Sequence, residues 1–409
     1  MRIAIISDPH LGYAYNSRLE NDSFENFEEA MNFALDCDLI LIPGDIFDSR
    51  TPSTVVLNSA IKIIRKCLFR KSNLRLVNTD KKLHEISKRT IEALPIIALH
   101  GNHERRSKGQ INVIEALENA GLLIYLDRNF IIFEKDGIKI AIHGMSSVPE
   151  RYAKKFLDEW NPKPIKDCLN ILMLHQSIHP YVFSPIEPPS LKLENLPKGF
   201  DFIIDGHIHV FSEEKINGTK FVIPGSTITT QLEENEAKTE KGFYVIEIGE
   251  GIKGKFIPLT NNRKFIFEDV RITGPVRSLI EERIEKILSS NFSKPPIIKL
   301  RIKGRETDVF EQELREIEKK YSEKAIIIFS KELESSEIAS KIEFIRNLIE
   351  QKQSIEEIGF NLLRKNLEEL KFGEEISFEM LFELLSEGEI NRVLNLLMGE
   401  QKTLFQFGG

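Results

Sequence analysis

The sequence has only three cysteines in 409 residues, Cys37, Cys67 and Cys168, far apart and mostly in apolar stretches. An odd number without ligand spacing excludes a thiolate metal site and reads as structural thiols in a reducing compartment. No apolar run approaches the length of a membrane span. The N-terminus passes directly into a strand-like stretch, Arg2 to Ile6, with no basic segment leading into a long apolar one. No membrane association is therefore expected, and the expected compartment is the cytoplasm. There is no internal repeat and no low-complexity tract. An excess of positive charge is also missing, since the formal net charge is −7. From Lys331 onward there are 16 Glu, no Asp and nine Lys or Arg, so residues 1–330 hold 47 acidic and 47 basic side chains. The acidity thus belongs to the C-terminal part. A neutral body is compatible with a polyanionic partner once metal cations are added, although it does not argue for one as a basic stripe would.

What is present is a soluble globular composition, 41% hydrophobic and 29% charged, in a chain too long for one ordinary core. Short apolar runs recur at Ile3–Ile6, Leu39–Ile42, Ile96–Leu99, Ile138–Ile142, Ile171–Leu174, Phe202–Ile204, Phe221–Ile223 and Phe243–Ile248. They read as buried strands. Helical patterns at Phe24–Leu35 and Val55–Leu68 alternate with the first of them, so residues 1–260 are expected to form a layered α/β sandwich. Residues 70–94 are polar and longer than a usual connection, an insertion with partial helix. After the polar break Thr260–Arg263 comes a β-α-β-α-β pattern, with strands at Lys264–Ile272, Ile297–Ile302 and Ala325–Phe329 and helices at Val276–Leu288 and Val309–Tyr321. It is bounded as a small α+β domain, 261–333. Residues 334–398 carry helical stripes (Ile338, Ile342, Ile345, Ile349; then Ile355, Ile358, Leu362, Leu363) with capping-box spacing at Ser354/Glu357 and Ser386/Glu389. Residues 399–409 form an exposed C-terminal peptide.

Five clusters follow predicted strands: Asp8-Pro9-His10, Gly44-Asp45 with Asp48, Gly101-Asn102-His103-Glu104, His175, and Gly206-His207-Ile208-His209. In open α/β sheets the crevice beyond the carboxyl ends of the strands is where ligands bind. Carboxylate, amide and imidazole are the donors suited to Mn²⁺, Fe²⁺ or Zn²⁺ in open catalytic sites. Any one cluster alone is weak. Five of the nine histidines, however, fall at these strand ends, and histidines scattered for packing would not. Aspartates ending buried strands also need a partner, which a cation supplies. His84, His100, His143 and His179 are read as structural.

The order D-x-H, G-D-x-x-D, G-N-H-E, H, G-H-x-H resembles the calcineurin-like metallophosphoesterase superfamily over roughly residues 1–260, which implies a four-layer α/β/β/α sandwich. By that resemblance Asp8, His10 and His209 bind one metal, Asn102, His175 and His207 bind a second, and Asp45 bridges them. The resemblance makes His103 the catalytic residue, facing the scissile phosphate, a role that suits imidazole with its near-neutral pKa. The metals would lower the pKa of a water and neutralise charge on the phosphoryl oxygens.

Asp8–Tyr13, Gly44–Pro52 and Leu174-His175-Gln176 further resemble the Mre-eleven and SbcD nuclease family, whose small domain covers DNA and whose helical segment binds an ATPase. Asp48 stands where those relatives often carry a histidine. The resemblance implies a nuclease with two Mn²⁺ ions per subunit that acts on DNA ends in double-strand-break repair. Its activities would be 3′–5′ exonuclease on double strands and endonuclease on single strands. Its partners would be DNA, a Rad-fifty/SbcC-type ABC ATPase and a second copy in a homodimer. Arg18, Arg50, Arg105, Arg106 and Lys108 lie in loops near the motifs as candidate phosphate contacts, with a solvated surface charge as the alternative for each. Gln401, Leu404 and Phe407 resemble a sliding-clamp-binding box. Two rival readings remain: a phosphomonoesterase or cyclic-nucleotide esterase, and a metal-binding assembly scaffold.

Overall fold

The computed structural model describes residues 1–107, 109–182, 191–272, 274–305 and 311–334, with parts of 364–393 that include helix Phe378–Ser386. The chain divides into two compact units, Met1–Val182 with Pro189–Glu334, and Phe183–Pro188 with Ser335–Gly409.

Two sheets form the larger unit's centre. The first has six strands in the order Ile252–Pro258, Gly242–Ile248, Arg2–Ile5, Leu39–Ile42, Ile96–Ala98, Ile124–Tyr125, the last four parallel. The second has seven, in the order Ser212–Ile216, Thr219–Ile223, Phe202–Asp205, Leu169–Leu174, Ile138–Met145, Asn129–Lys135, Arg75–Thr79, with Thr219–Ile223 through Ile138–Met145 parallel. The eight apolar runs all become strands, and six are apolar throughout because both faces are covered, Lys139 and the exposed Glu247 marking where Ile138–Ile142 and Phe243–Ile248 emerge. Ile3, Ile5, Leu39, Leu41 and Ile97 point at Ile140, Ile142, Ile171, Met173 and Ile204 of the facing sheet. Ala4, Ile6, Ile40, Ile42 and Ala98 point the other way, onto Phe27, Met31, Ala60, Ile64 and Leu117 of helices Asp22–Ala34, Thr54–Ile64 and Val113–Asn119. Each fully buried Ile, Leu, Met or Phe among them contributes about 1.5–3 kcal/mol. On the far side of the second sheet lies helix Glu150–Trp160, whose Trp160 ring is 6.4 Å from that of His143. This is the expected four-layer α/β/β/α arrangement.

Residues 70–94 hold the expected partial helix and, beyond expectation, a strand. They contain strand Arg75–Thr79, which extends the second sheet antiparallel to Asn129–Lys135, followed by the short helix Lys88–Glu92. An edge strand needs only one ladder and one covered face, so its sequence carries no apolar run. Partly buried Lys81 ties the insertion to the body through Glu118 Oε2 (2.7 Å) and the Tyr125 carbonyl (2.7 Å).

Strands Phe265–Arg271, Ile297–Arg305 and Ile326–Glu334 form a separate parallel sheet, with helices Val276–Leu288 and Glu311–Tyr321 packed on it through Ile280, Ile284, Leu314 and Ile317. The last strand runs five residues beyond the expected Phe329. Arg263 joins this module to the body with a two-pronged bond to Asp22, 2.5 and 2.9 Å. Leu19, Ala14, Leu232 and Ala237 of the body pack against Phe265, Phe267, Ile297, Ile326 and Ile328.

Of the C-terminal expectations, Ser386 ends helix Phe378–Ser386; the stripes at 338–363, the Ser354 cap and the peptide 399–409 lie outside the described residues. Cys37, Cys67 and Cys168 are free thiols.

Candidate metal centre

Each motif loop begins where a parallel strand ends: Asp8 and His10 after Arg2–Ile5, Asp45 after Leu39–Ile42, Asn102 and His103 after Ile96–Ala98, His175 after Leu169–Leu174, and His207 and His209 after Phe202–Asp205. The strands belong to both sheets, so the loops converge above the seam between them. The turns are tight. Asp8, His10, Asp45 and His207 adopt positive φ of 48°, 44°, 48° and 79°, a conformation costly for residues with a Cβ and concentrated at functional sites.

Backbone donors fix the carboxylates. Asp45 Oδ1 accepts the His103 N–H at 2.9 Å, and Asp8 Oδ1 accepts the His207 N–H at 3.1 Å. Buried Glu104 clasps two loops by accepting the N–H of Phe47 (2.8 Å) and of Gly101 (2.9 Å). Burial and the neighbouring Asp45 push its carboxyl up to about 8. Glycine is required where loops touch: a Cβ on Gly44 would lie 2.3 Å from His175 Nδ1, and one on Gly101 would lie 2.0 Å from Asp45 Oδ1.

Two donor sets result, with Asp45 between them. His10 donates from Nδ1 to Asp48 Oδ1 (3.2 Å), and His209 Nδ1 meets Thr230 Oγ1 (2.9 Å). Their Nε2 atoms therefore face each other, 3.0 Å apart and buried, within a group that also includes Asp8. In the second set, His175 donates from Nδ1 to the Pro43 carbonyl (2.7 Å), turning Nε2 toward Asn102 Oδ1 (3.0 Å) and Asp45 Oδ2 (3.4 Å). Asn102 Oδ1 also lies 3.1 Å from His207 Nδ1. Asp45 Oδ2 is 3.9 Å from His10 Nε2, so one carboxylate reaches both sets.

This donor set fits cations. Acceptor atoms crowded in a buried space repel unless a positive charge lies among them. Burial and His10 push His209 well below its ordinary value, which disfavours a proton as the remedy. Asp45 is held far below the usual carboxylate range, because His175 and His10 outweigh its burial. His175 rises to about 10, burial being overcome by Asp45.

His103 lies beside these sets with its side chain 38% exposed. Its Nδ1 bonds the Asp48 carbonyl (3.0 Å), and its ring centroid is 4.8 Å from that of His10. Asp48 thus contacts both imidazoles, its Oδ1 reaching His10 at 3.2 Å and His103 Nδ1 at 3.7 Å.

The candidate phosphate contacts are less concentrated. Arg18 turns to the small module and donates to the Ala325 carbonyl at 3.4 Å. Arg106 reaches Thr51 Oγ1 at 3.4 Å, and Arg50 and Arg105 are half-buried near the motif loops. Lys108 lies outside the described residues. The other histidines pack or face solvent: His100 bonds the Tyr125 hydroxyl (2.7 Å), His143 sits among Phe130, Trp160 and Phe200, and His84 and His179 are exposed. Sequence reading gave no role to Glu104 and missed Thr230, Glu236 and Lys241, which back His209. A charged pair in a polar stretch carries no signal of burial.

Residues 1–211 match the family model for calcineurin-like phosphoesterases. The chain belongs to that family. Membership implies divalent-metal binding, for which the grouped side chains are candidate ligands. The chain is also similar to the DNA double-strand break repair protein Mre11 of Methanopyrus kandleri, 29% identical over 293 residues covering 66% of this chain and 59% of that one. It is 29% identical over 310 residues to the double-strand break repair protein MRE11 of Encephalitozoon cuniculi, covering 70% of this chain and 52% of the relative. With that of Mus musculus it shares 26% over 368 residues, covering 74% and 50%. The chain thus spans between half and three-fifths of the length of these relatives. Among the described residues no helix is long and apolar enough to cross a membrane.

Proposed function

We propose that this chain is a DNA nuclease with two Mn²⁺ ions, a 3′–5′ exonuclease on double strands and an endonuclease on single strands, acting in double-strand-break repair. The observation that carries the two-metal part is the pair of facing donor sets that share Asp45. Asp8, His10 and His209 hold one ion, Asn102, His175 and His207 the other, and Asp45 bridges. Bound divalent cations supply a nucleophile at neutral pH and offset charge on the phosphoryl oxygens.

The chain's own residues do the rest. Asp45 Oδ2 lies near His175 Nε2 and His10 Nε2, so this carboxylate would serve both ions while Oδ1 stays on the His103 N–H. His175 keeps Nδ1–H on the Pro43 carbonyl, so Nε2, turned to Asp45, is the atom that would coordinate, a cation there displacing the proton that Asp45 otherwise favours. His103, partly exposed and fixed through Nδ1, presents Nε2 toward the open side, where it hydrogen-bonds a non-bridging phosphoryl oxygen or protonates the leaving oxygen. Asp48 orients both His10 and His103.

DNA as substrate is supported by the repair proteins among the relatives and by the β-α-β-α-β module packed on Leu232 and Ala237, beside the Thr230 that meets His209, which can cover a polymer backbone held by phosphate contacts. The domain limits that go with this reading are 1–260 for the nuclease, 261–333 for the covering domain, 334–398 for binding a Rad-fifty/SbcC-type ATPase, and 399–409 for a clamp-binding peptide through Gln401, Leu404 and Phe407. The protein works in the cytoplasm as a homodimer. Arg50, Arg105, Arg106 and Lys108 contact phosphates; Arg18, which bonds Ala325, braces the covering domain instead. The test compares duplex DNA, a cyclic nucleotide and a small chromogenic phosphate under Mn²⁺. DNA is expected to be the preferred substrate, and faster turnover of the small phosphate would overturn the assignment.

A further inference from the structure

Behind His209 lies a buried charge pair that the proposed chemistry does not use. Lys241 is fully buried, and its Nζ donates to Glu236 Oε1 (2.6 Å), Ser226 Oγ (2.9 Å) and the His209 carbonyl (3.0 Å). All three ammonium donors are thereby satisfied, which a buried lysine requires. Glu236 is buried as well. Its Oε1 accepts the Thr230 N–H at 3.4 Å, and its Oε2 accepts the N–H groups of Gln231 (2.9 Å) and Leu232 (3.1 Å). One carboxylate thus holds three successive backbone donors of the turn whose Thr230 hydroxyl meets His209 Nδ1 at 2.9 Å. Tyr13, from the loop that carries Asp8 and His10, donates its hydroxyl to the Thr230 carbonyl at 2.8 Å.

The same turn is the seat of the small module. Leu232, at a positive φ of 52°, packs with Ala237 against Phe265, Phe267, Ile297, Ile326 and Ile328. Its carbonyl accepts from Lys299 Nζ at 2.9 Å, and Lys299 also pairs with Glu233 at 3.2 Å. Arg301 reaches Glu234 at 3.6 Å. Only Gln231 therefore stands between Thr230, whose hydroxyl meets His209, and Leu232, which holds the module.

We propose that Thr230, Glu236 and Lys241 are positioning residues that set the orientation of His209, and that the docking of the 265–334 module on Leu232 and Glu233 is transmitted through this turn to the metal on the Asp8, His10 and His209 side. The inference rests on the two-metal reading above. The logic is that of an outer hydrogen-bond partner, which fixes the tautomer and ring direction of a ligating histidine. Thr230 accepts from Nδ1–H, which leaves Nε2 for the metal. Glu236 keeps Thr230 in place, and Lys241 neutralises Glu236 while gripping the His209 backbone. A covering module that shifts on the Leu232 seat then changes metal affinity as well as access.

The test is Mn²⁺ titration of the metal-stripped full chain by calorimetry, with the electron paramagnetic resonance spectrum of the loaded protein as a second readout. The variants are Thr230→Val, Thr230→Ser, Lys299→Met and, as a control on the far helices of the same module, Lys320→Met. Thr230 and Lys299 are both at partly exposed positions, and thermal unfolding of the metal-free protein checks each fold. Thr230→Val is expected to weaken one of the two Mn²⁺ ions by about 10–100-fold and to reduce the spin-coupled signal, while Thr230→Ser restores both. Lys299→Met is expected to weaken the same ion several-fold, and Lys320→Met to leave it unchanged. Wild-type affinity in Thr230→Val would overturn the positioning role. Wild-type affinity in Lys299→Met, or an equal loss in Lys320→Met, would overturn the transmission. A wild-type chain that binds fewer than two Mn²⁺ ions would instead overturn the two-metal reading itself, and this inference with it.

Discussion

Replacing Gly206 with alanine places one methyl group at the tightest point between the two sheets' loops. Its Cβ would lie 2.2 Å from the Pro43 carbonyl oxygen, 2.7 Å from His175 Nδ1 and 3.1 Å from Ser7 Oγ. Pro43 O and His175 Nδ1 are the two ends of the 2.7 Å hydrogen bond that fixes the His175 tautomer, so the methyl has to part them. Overpacking of this kind costs about 1–3 kcal/mol, and loss of the hydrogen bond adds about 1 kcal/mol. The sum, about 2–4 kcal/mol, corresponds to a fall in Tm of roughly 5–10 °C for the metal-free protein. Because His175 also loses the partner that aims its Nε2, one Mn²⁺ is expected to bind about 10–100-fold more weakly. Differential scanning calorimetry and Mn²⁺ titration measure the two effects. Gly249→Ala, whose Cβ would meet nothing within 4 Å, serves as the control. A Gly206→Ala protein with the control's Tm and wild-type Mn²⁺ affinity would refute the reasoning.

Three further outcomes are expected. His103→Ala abolishes DNA cleavage under Mn²⁺ yet binds both ions as tightly as the wild type; parallel loss of metal would assign His103 to the ligand set instead. Burial among Phe130, Trp160 and Phe200 lowers His143 to about 4 from its ordinary 6.5, so the folded state favours the neutral ring. Above pH 6.5 this has no effect on stability. As pH falls from 6.5 the unfolded chain takes up a proton that the folded chain refuses, removing on the order of 3 kcal/mol by about pH 4. Urea unfolding of His143→Gln is therefore expected to show a shallower loss than wild type over that window, and identical slopes would discard the idea. Truncation after Glu334 is expected to leave DNA cleavage in place and eliminate binding of the ATPase partner, scored by gel filtration of the mixture; retained complex would move that surface elsewhere.

How much of this was legible in the sequence depends on what covers each residue. Leu39–Ile42 and Leu169–Leu174 are sealed on both faces, so their runs are apolar and stand out. Ser212–Ile216, with the sequence SEEKI, and Arg75–Thr79 sit at sheet edges with alternate or most residues exposed, and a period-2 pattern over five residues is lost among charges. Ile252–Pro258, the edge partner of Gly242–Ile248, is hidden for the same reason, whereas Asn129–Lys135 is an interior strand whose own apolar run, Phe130–Phe133, the sequence reading passes over. In the site, Asp8, His10, Asp45, Asn102, His175, His207 and His209 were picked out as donor types at strand ends, and the structure brings all seven together. Their supports were not legible. Glu236 and Lys241 lie in a stretch rich in Glu and Lys, where nothing local distinguishes a sealed ion pair from a solvated one, because the burial is created by packing that spans distant parts of the chain. Arg18 reads as a loop cation near the metal motif, but its partner, the Ala325 carbonyl, is 307 residues away.

The central claim, two Mn²⁺ ions bridged by Asp45, is tested most directly by anomalous scattering at the manganese edge from crystals grown with Mn²⁺. The account predicts two peaks roughly 3.5–4 Å apart on either side of the Asp45 carboxylate. One would be ligated by Asp8, His10 and His209, the other by Asn102, His175 and His207. A single peak, or two peaks held by other residues with Asp45 turned away, would contradict it.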